Sequence, residues 1–273
     1  MWDEYKQENF NLRALLFVTI NDWPALSNLS GQSNKGYRAC THCLEDTDSI
    51  WLTHYKKCVY MSHRQFLPIR HPVRRKGKHF KGQVDHRTKS MHRSGNDVFE
   101  MVKDLEVVFG KGLGSQPVPS ENGMAPMWKK KSIFWELSFW KVLNVRHAID
   151  VIHLTKNLCV NLIGFLGVYG KTKDTLEARQ ELQRMEERDA LYPEKRDKRH
   201  YLSSASYTLS KEEKDRMFEC LSSIKIPSGY SSNIKRILNM LEKKFTNLKS
   251  HDCRVLMTEL LSLVFRGILP ENV

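Results

Sequence analysis

Long apolar runs are missing from this sequence. No stretch of roughly 18 or more apolar residues occurs, and a helix needs about 20 of them to cross a bilayer. The first ten residues are polar and acidic, whereas a secretory signal peptide opens with basic residues and continues with an apolar segment. We therefore expect a protein that neither spans a membrane nor is secreted.

Also missing are the patterns that define several function classes. No internal repeat is visible, and no heptad pattern lasts long enough for a coiled coil. Gly170-Lys171-Thr172 resembles the end of a phosphate-binding P-loop, but the first glycine of that motif would fall at Phe165. The sequence therefore gives no support for a solenoid, a coiled coil or a nucleotide hydrolase.

Cysteine is scarce, with 6 in 273 residues, and its placement is uneven. Three cysteines lie close together in the chain, at Cys40, Cys43 and Cys58. The other three stand singly in apolar or helical surroundings, which is typical of buried thiols: Cys159, Cys220 and Cys253. This distribution favours a metal site inside the cell over a disulfide framework.

Positive charge dominates the composition. The chain has 44 Lys and Arg residues against 31 Asp and Glu, which gives a formal net charge of +13. Lys and Arg that contact phosphates release condensed counterions, so a basic protein gains affinity for polyanions. We expect a nucleic acid as partner, and a soluble protein that is merely basic is the alternative.

Basic side chains concentrate in residues 64–93, which carry ten of them against a single acid, Asp85. We call this segment the basic arm and expect it to be exposed and to contact phosphates. The residues assigned to that role are Arg64, Arg70, Arg74, Arg75, Lys76, Lys78, Lys81 and Arg87. The histidines in or beside the arm are interpreted as solvated or phosphate-contacting groups: His63, His71, His79, His86 and His92.

The first half of the chain contains one clear strand pattern. Residues 12–20 form a nearly continuous apolar run that stops at Asn21-Asp22-Trp23-Pro24. Such a run predicts a buried strand ending in a turn, because proline cannot continue a ladder; a helix is the alternative for so short a run.

The second half reads as helical. A stretch rich in Gly, Pro and Ser, residues 110–126, predicts a linker before it. Helices are predicted over residues 132–142, 149–166, 172–191, 211–223, 233–244 and 251–265. Ser210 with Glu213 forms a capping-box pattern, and Ser250 is placed to cap the last helix.

The clustered cysteines fit a metal site. Cys40 and Cys43 can bind from one turn, while Cys58 and His63 close a tetrahedral site that suits zinc. Four protein ligands leave no open position, so we expect a structural ion. His42 and His54 are alternatives for the fourth ligand, and unrelated reduced thiols are the alternative to the whole site.

Two carboxylates are candidate catalytic groups. Asp22 follows the apolar run, and open α/β sheets place ligand-binding groups just beyond the C-terminal ends of their strands. Asp150 would share one helical face with three polar neighbours, His147, His153 and Asn157. Enzymes that cut nucleic acids use several carboxylates to hold Mg2+. Asp22 alone also fits a turn residue, and Asp150 a capping or hydrogen-bonding residue.

Several ordered blocks of the chain resemble one family, the transposase of En/Spm (CACTA) plant DNA transposons. The blocks are residues 12–31 (LRALLFVTINDWPALSNLSG), 40–43, 58–68 (CVYMSHRQFLP), 127–140 (MWKKKSIFWELSFW) and 150–172 (DVIHLTKNLCVNLIGFLGVYGKT). They spread over nearly the whole chain, so the resemblance is far more specific than any single motif.

The resemblance implies a DDE/D transposase with an RNase H-like core. Such a protein binds transposon ends, cuts DNA with metal-activated water and joins the freed 3′ hydroxyl to target DNA. Asp22 would correspond to the second acidic residue of the triad, with Mg2+ or Mn2+ bound only in the intact catalytic protein. A CxxC insertion following that residue is also a feature of this class, and Asp150 is the candidate within this chain for a further acidic residue.

The resemblance also implies that this chain is a truncated fragment. The strand with the first acidic residue would precede Met1, and the third acidic residue is expected beyond Val273, so we expect the chain alone to be inactive. Its start fits a gene model that begins inside a longer or decayed transposable element. Ser138 and Ala148 depart from the residues expected there, which is consistent with a drifting copy.

Together these inferences predict an α+β, helix-rich fold: a partial RNase H-like core with a zinc-binding insertion and a helical C-terminal half. The expected divisions are a core strand region (1–36), the zinc-binding insertion and basic arm (37–109), a linker (110–131) and a helical region (132–273). We expect DNA as partner, no membrane, a structural zinc ion and a nuclear location, with a homo-oligomer left open for the intact transposase in DNA recombination. The alternatives are a non-catalytic zinc-dependent DNA-binding module and a helical protein-interaction scaffold.

Overall fold

The computed structural model describes residues 1–77, 80, 82–107, 118–120, 123–225 and 233–268. Its strands are β1 (Trp2–Asp3), β2 (Glu8–Asn9), β3 (Thr19–Asn21), β4 (Ser49–Leu52), β5 (Lys57–Tyr60), β6 (His147–Ile149), β7 (Glu194–Arg196), β8 (Arg199–Tyr201), β9 (Leu238–Asn239) and β10 (Lys244–Phe245). Its α-helices are α1 (Trp23–Ser30), α2 (Pro72–Arg75), α3 (Gly95–Val102), α4 (Val151–Phe165), α5 (Leu176–Arg184), α6 (Lys211–Ser223), α7 (Ser250–Val255) and α8 (Leu261–Phe265). A π-helical segment, Leu256–Leu260, joins α7 to α8.

The chain divides into two units, each built from two separate stretches of sequence. The first unit comprises residues 1–48 and 89–149, and the second comprises residues 49–88 and 150–273. Within the described ranges every sheet has two strands, and β3 with β6 is the parallel pair; the other pairs are antiparallel. No helix of the described residues is long and apolar enough to cross a bilayer.

The parallel pair β3–β6 lies in the first unit. Its register sets Thr19 opposite His147 and Asn21 opposite Ile149. The strand predicted over residues 12–20 is therefore mostly wrong, because only its end is paired and the run is not buried. Phe17 is 63% exposed and most of its apolar neighbours also face solvent. An apolar run forms a buried strand only where neighbouring strands pair with it and other elements pack on it. Among the described residues, β6 pairs only with Thr19, Ile20 and Asn21.

Helix α1 follows β3 directly and has clear local causes. Asp22 caps its N-terminus and Pro24 occupies the first turn, where a missing amide hydrogen costs nothing. Gly31 ends the helix with φ +86°, and a Cβ at this glycine would lie 2.1 Å from the carbonyl oxygen of Lys130. Both the conformation and the close backbone approach require glycine at this position.

The core of the first unit includes buried Leu44, Val98, Val102 and Trp128. Val98 and Val102 stand four residues apart on α3, so they lie on one face of that helix. Ser94 starts α3 through a reciprocal capping box with Asp97, in which each side chain accepts the backbone amide of the other.

The second unit has the larger core. It is formed by α4, α6, α7 and α8 with the connecting segments between them, and Phe218, Ile163 and Leu256 are fully buried in it. Cys159 and Ile163 face this core from α4, one turn apart, while Leu154 and Leu158 on the same helix are exposed. Helix α4 thus exposes apolar side chains as well as polar ones on the side away from the core.

Several predicted helices are confirmed. Helix α6 has the predicted bounds, residues 211–223, and the capping box between Ser210 and Glu213 is formed. Helix α4 covers most of residues 149–166. The prediction over 172–191 was too long, since α5 ends at Arg184, and a π-helical segment interrupts the helix predicted over 251–265.

Two predicted helices are wrong. Residues 132–142 form two 3-10 turns, Ile133–Glu136 and Trp140–Val142. Residues 233–244 form a 3-10 turn followed by the β9–β10 hairpin. The Asn239 side chain accepts the amides of the next residues in this hairpin, and Lys243 has φ +51°, so polar turn contacts replace the helical ladder here.

The predicted linker is only partly described, because residues 110–117 and 121–122 of it lie outside the described ranges. Its C-terminal end is packed in the first unit. The amide of Ser33 donates to the carbonyl of Met127 at 2.9 Å, and the amide of Lys129 donates to the carbonyl of Gly31 at 2.8 Å. Residues 127–130 therefore belong to the folded unit.

Candidate catalytic and nucleic-acid-binding sites

Asp22 lies at the junction between a strand and a helix. Strand β3 ends at Asn21, and Oδ1 of Asp22 accepts the amide of Ala25 at 3.0 Å as the N-cap of α1. The residue is half-buried. The structure thus places this carboxylate just beyond the C-terminal end of a paired strand, as predicted, and at the N-terminus of a helix.

Asp150 occupies the corresponding local position after β6. Its Oδ1 accepts the amides of Ile152 and His153 at 2.8 and 3.2 Å as the N-cap of α4. Strands β3 and β6 pair in parallel with Asn21 opposite Ile149, so an aspartate is the next residue after the last paired position of each strand. The capping role that the sequence left open for Asp150 is formed.

The polar helical face predicted around Asp150 is wrong in one member. His147 lies on β6 and not on α4, because the helix begins only after Asp150. Nδ1 of His147 hydrogen-bonds Oγ1 of Thr19 at 2.7 Å, on the partner strand. Burial lowers the pKa of His147 to about 4, helped by the positive charge of Arg146, so this imidazole is neutral near pH 7.

Two of the proposed zinc ligands lie together in the first unit. The amide of Cys43 donates to Sγ of Cys40 at 3.4 Å, which is the contact that the CxxC turn makes. Burial raises the pKa of the Cys43 thiol, and the hydroxyl of Ser90 opposes that rise. The pair fits a soft metal by residue type and spacing, since cysteine thiolates are ligands of zinc.

The other two proposed ligands lie in the second unit. Cys58 is on β5, opposite Trp51, and His63 begins a 3-10 turn, His63–Phe66. Over the part of the chain that the structure describes, no group of three or more His, Cys, Asp or Glu is close enough to hold a metal ion. The structure therefore brings together Cys40 and Cys43, and the complete zinc site stays a prediction.

The basic arm is folded around a buried ion pair, which corrects the prediction for Arg74. This side chain is 2% exposed. Its guanidinium donates to the carbonyls of Asp85 at 3.0 Å, Gln65 at 3.1 Å and Leu67 at 2.9 Å, and also to that of Arg87. Arg74 was predicted to contact DNA phosphates, but the four hydrogen bonds that its guanidinium donates all go to backbone carbonyls inside the arm.

The single acid of the arm is the partner of three arginines. Asp85 is buried, and Arg87 donates to both its carboxylate oxygens, at 3.1 and 2.8 Å. Arg64 and Arg74 lie 3.9 and 4.0 Å from the same carboxylate. The hydrogen bond from Arg87 is the main cause that lowers the pKa of Asp85 to about 2, against the effect of burial.

Arg64 and Arg87 were also predicted to contact phosphates, but each already makes contacts inside the arm. Arg64 lies over the ring of Phe80 at 3.8 Å and donates to the carbonyl of Gln83 at 3.2 Å. The side chain of Arg87 is 50% exposed beyond its contact with Asp85. Both cations have an exposed part, but their first role is to hold the arm together.

The cations best placed for an external anion are Arg70, Arg75 and Lys76, all of which are exposed. Lys78 and Lys81, predicted for the same role, lie outside the described residues. His71 is used as a cap, since its Nδ1 accepts the amide of Val73 at 3.2 Å at the start of α2.

One feature of the first unit was not found from the sequence. A cavity of ≈ 310 Å³ is lined by residues that include Trp128, Trp135 and Arg146. In the sequence both tryptophans lie in the block of residues 127–140 that resembles the transposase family. A sequence pattern shows that aromatic residues are present, but it does not show whether they close a core or line a cavity.

Comparison with known proteins gives one match. Residues 1–105 match the model of a family described as Transposase family tnp2. Searches of the curated proteins and of the solved structures each gave no match. The match covers Asp22, the CxxC pair and the basic arm, and it supports a transposase-derived protein.

Proposed function

We propose that this chain derives from a DDE/D-type DNA transposase of the En/Spm (CACTA) plant class and binds DNA in the nucleus. The observation that carries the proposal is the match of residues 1–105 to a transposase family. The blocks resembling the En/Spm class extend beyond that range, up to residue 172. Transposon ends are the proposed DNA partner in the intact protein.

The position of Asp22 supports the catalytic part of the proposal. Parallel strands, each followed by a helix, build the open α/β sheets in which ligands bind beyond the C-terminal strand ends. Asp22 and Asp150 each follow a strand of the pair β3–β6. We propose Asp22 as an acidic residue of the catalytic centre in the intact transposase, where Mg2+ or Mn2+ would activate water and stabilise the leaving oxygen. The proposal of Asp150 as a further acidic residue rests on the resemblance to the transposase family alone.

The exposed cations of the arm support DNA binding. Arg70, Arg75 and Lys76 lie within seven positions of one another, next to a buried ion pair that fixes the backbone between them. A fixed cluster of cations binds phosphates without sequence discrimination, because backbone contacts position a protein on DNA while base contacts specify the sequence. A structural zinc ion on Cys40, Cys43, Cys58 and His63 is part of the same proposal.

A non-catalytic zinc-dependent DNA-binding module is the second candidate. Both carboxylates already accept backbone amides as helix caps, so each has a structural role that needs no metal. The module would bind DNA through the same exposed arginines and would leave the phosphodiester bonds intact. Since only two acidic residues are proposed in this chain, we expect binding without cleavage when the chain is assayed alone.

The test combines a binding assay and a cleavage assay on the full chain. Duplex DNA is titrated at several salt concentrations, and supercoiled plasmid is incubated with Mg2+ or Mn2+. We expect salt-sensitive binding and no nicking. Asp22→Asn is the diagnostic variant, because asparagine keeps the helix cap and removes the charge. Asp197→Asn, in the exposed β7–β8 turn, is the matched control for the loss of one negative charge.

Nicking and the absence of DNA binding are the two decisive outcomes. Metal-dependent nicking that Asp22→Asn abolishes and Asp197→Asn leaves intact would establish catalysis and overturn the expectation of an inactive chain. Binding without nicking agrees with the transposase-derived chain and with the module. No DNA binding at low salt would refute both.

A further inference from the structure

Strands β7 and β8 form a short hairpin whose residues are all exposed. The exposed residues run from 194 to 201 and include the two of the turn, Asp197 and Lys198. The hairpin carries four cations and two acids: Lys195, Arg196, Lys198 and Arg199 against Glu194 and Asp197. It is therefore a basic two-stranded ribbon on the surface of the second unit.

The register of the hairpin places two arginines side by side. Arg196 is directly opposite Arg199, in the last pair before the turn. Directly opposite residues share one face of a strand pair, and like charges there weaken the pairing. The neighbouring pair, Lys195 with His200, faces the other side. Two arginines together at the end of the ribbon indicate an acceptor outside the hairpin.

The two arginines differ in their contacts. Arg196 lies over the ring of Tyr201 at 3.8 Å, and its Nη2 lies 2.8 Å from Oε2 of Glu194. The guanidinium of Arg199 has no ion pair and no hydrogen bond among the described residues. A guanidinium carries five N–H donors in a rigid fork. Arg199 is thus the side chain of the hairpin whose donors are open to an external partner, while Arg196 is held in place.

We propose that this hairpin enters the major groove of duplex DNA, where Arg199 donates two hydrogen bonds to a guanine. The proposal rests on the proposed function, since it names the element that would read the bases of the bound DNA. Guanine presents O6 and N7 to the major groove, and the fork of an arginine matches this pair of acceptors. Phosphate contacts from the basic arm carry no sequence information, so a contact from Arg199 to a base edge supplies the sequence preference.

The hairpin has the size for this groove. Its strands lie about 4.8 Å apart, and the three paired residues of each strand extend about 10 Å. The major groove is about 12 Å wide and about 8.5 Å deep, and it admits a two-stranded ribbon. With the turn directed into the groove, Arg196 and Arg199 form the pair nearest the bases. Asp197 in the turn is an acceptor, and the cytosine paired with the guanine presents an amino donor to the same groove.

The test compares two duplexes that differ in one acceptor of the major groove. One is an alternating G·C duplex, and in the other every guanine is replaced by 7-deazaguanine, which lacks the N7 acceptor and keeps the base pairing and the phosphate charge. The full chain is titrated with each duplex by fluorescence anisotropy at one salt concentration. We expect the unaltered chain to bind the guanine duplex at least about 5-fold more tightly, since the bidentate contact otherwise loses one of its two hydrogen bonds.

Variants assign this preference to the hairpin. Arg199→Met is expected to weaken binding of the guanine duplex by about 5-fold or more and to bring the ratio of the two affinities to about 1. Its slope of log K against log salt should change less than that of Arg75→Met, which removes a phosphate contact. Lys195→Met is the matched control on the other face of the same hairpin and should keep the ratio. Both side chains are exposed, so circular dichroism should show an unchanged fold.

The result for the unaltered chain separates this proposal from the proposed function. Binding of both duplexes with equal affinity would overturn the hairpin proposal and leave the proposed function standing. A preference that Arg199→Met retains, or that Lys195→Met abolishes as well, would overturn the assignment to Arg199. Absence of DNA binding at low salt would refute the proposed function and the hairpin proposal with it.

Discussion

The same substitution is expected to change a different property at each of two adjacent arginines in the basic arm: the stability of the arm at Arg74, and the affinity for DNA at Arg75. Arg74 is buried and donates to four backbone carbonyls, while Arg75, the next residue, is exposed. Replacing each by methionine removes the guanidinium and keeps an unbranched apolar stem. The pair therefore compares a structural arginine with one that we propose to contact DNA, in the same helix, α2.

The expected loss of stability in the variant Arg74→Met follows from the contacts of Arg74. The substitution leaves four carbonyls without their donor and also leaves Asp85 with one fewer cation nearby. A hydrogen bond to a charged group contributes about 1.5–3 kcal/mol, and removing one partner of a buried pair costs about 3–5 kcal/mol. We expect the free energy of local unfolding of the arm to fall by about 3–5 kcal/mol. For Arg75→Met we expect a change below about 0.5 kcal/mol.

Hydrogen exchange of the backbone amides in residues 64–88 measures this local free energy, since protected amides there report opening of the arm. DNA affinity is measured on the same proteins. Arg75→Met is expected to weaken binding and to reduce the slope of log K against log salt by about 1, because one phosphate contact is lost. The reasoning would be refuted if Arg74→Met left exchange unchanged and weakened DNA binding as Arg75→Met does. Arg74 would then be an exposed phosphate contact.

Three further outcomes follow. The charged Asp85 carboxylate stabilises the arm at pH values above 3.8, its ordinary pKa, and this contribution is lost as the pH falls toward about 2, its pKa in the folded arm. Amide exchange in the arm should accelerate over this pH interval. The variant Asp85→Asn, already destabilised at pH 7, should lose that acid dependence. Asp22→Ala should cost about 1 kcal/mol of stability through the lost cap of α1, and Asp22→Asn almost nothing, by thermal denaturation. Purified protein should contain about one zinc ion per chain and lose folded structure with a chelator; zinc-free protein indifferent to chelation would remove the Cys40 and Cys43 metal site.

The sequence predicted those elements whose causes are local. Helix α6 has its predicted bounds because Ser210 and Glu213 satisfy the first amides of the helix from within four residues. The position of Asp22 after a strand was likewise predicted from Pro24 and the end of the apolar run. Where neighbouring residues decide the structure, reading the chain is enough.

The remaining features depend on distant partners. Strand β3 extends only over the three residues that pair with β6, and β6 lies more than a hundred positions later in the chain. His147 was assigned to a helix by its spacing, but pairing with β3 draws it into a strand. Arg74 shares its residue type and its local composition with Arg75, and only the fold of residues 64–88 decides which of them is turned inward. Periodicity and charge counts show neither which distant strands pair nor which of two adjacent arginines is buried.

The salt dependence of duplex DNA binding tests the central claim most directly. If Arg70, Arg75 and Lys76 contact phosphates, log K should fall linearly with log salt concentration, with a slope of about −3. A measurable affinity at low salt with such a slope is the result expected for a transposase-derived DNA-binding chain. No affinity at low salt, or an affinity that salt leaves unchanged, would contradict it.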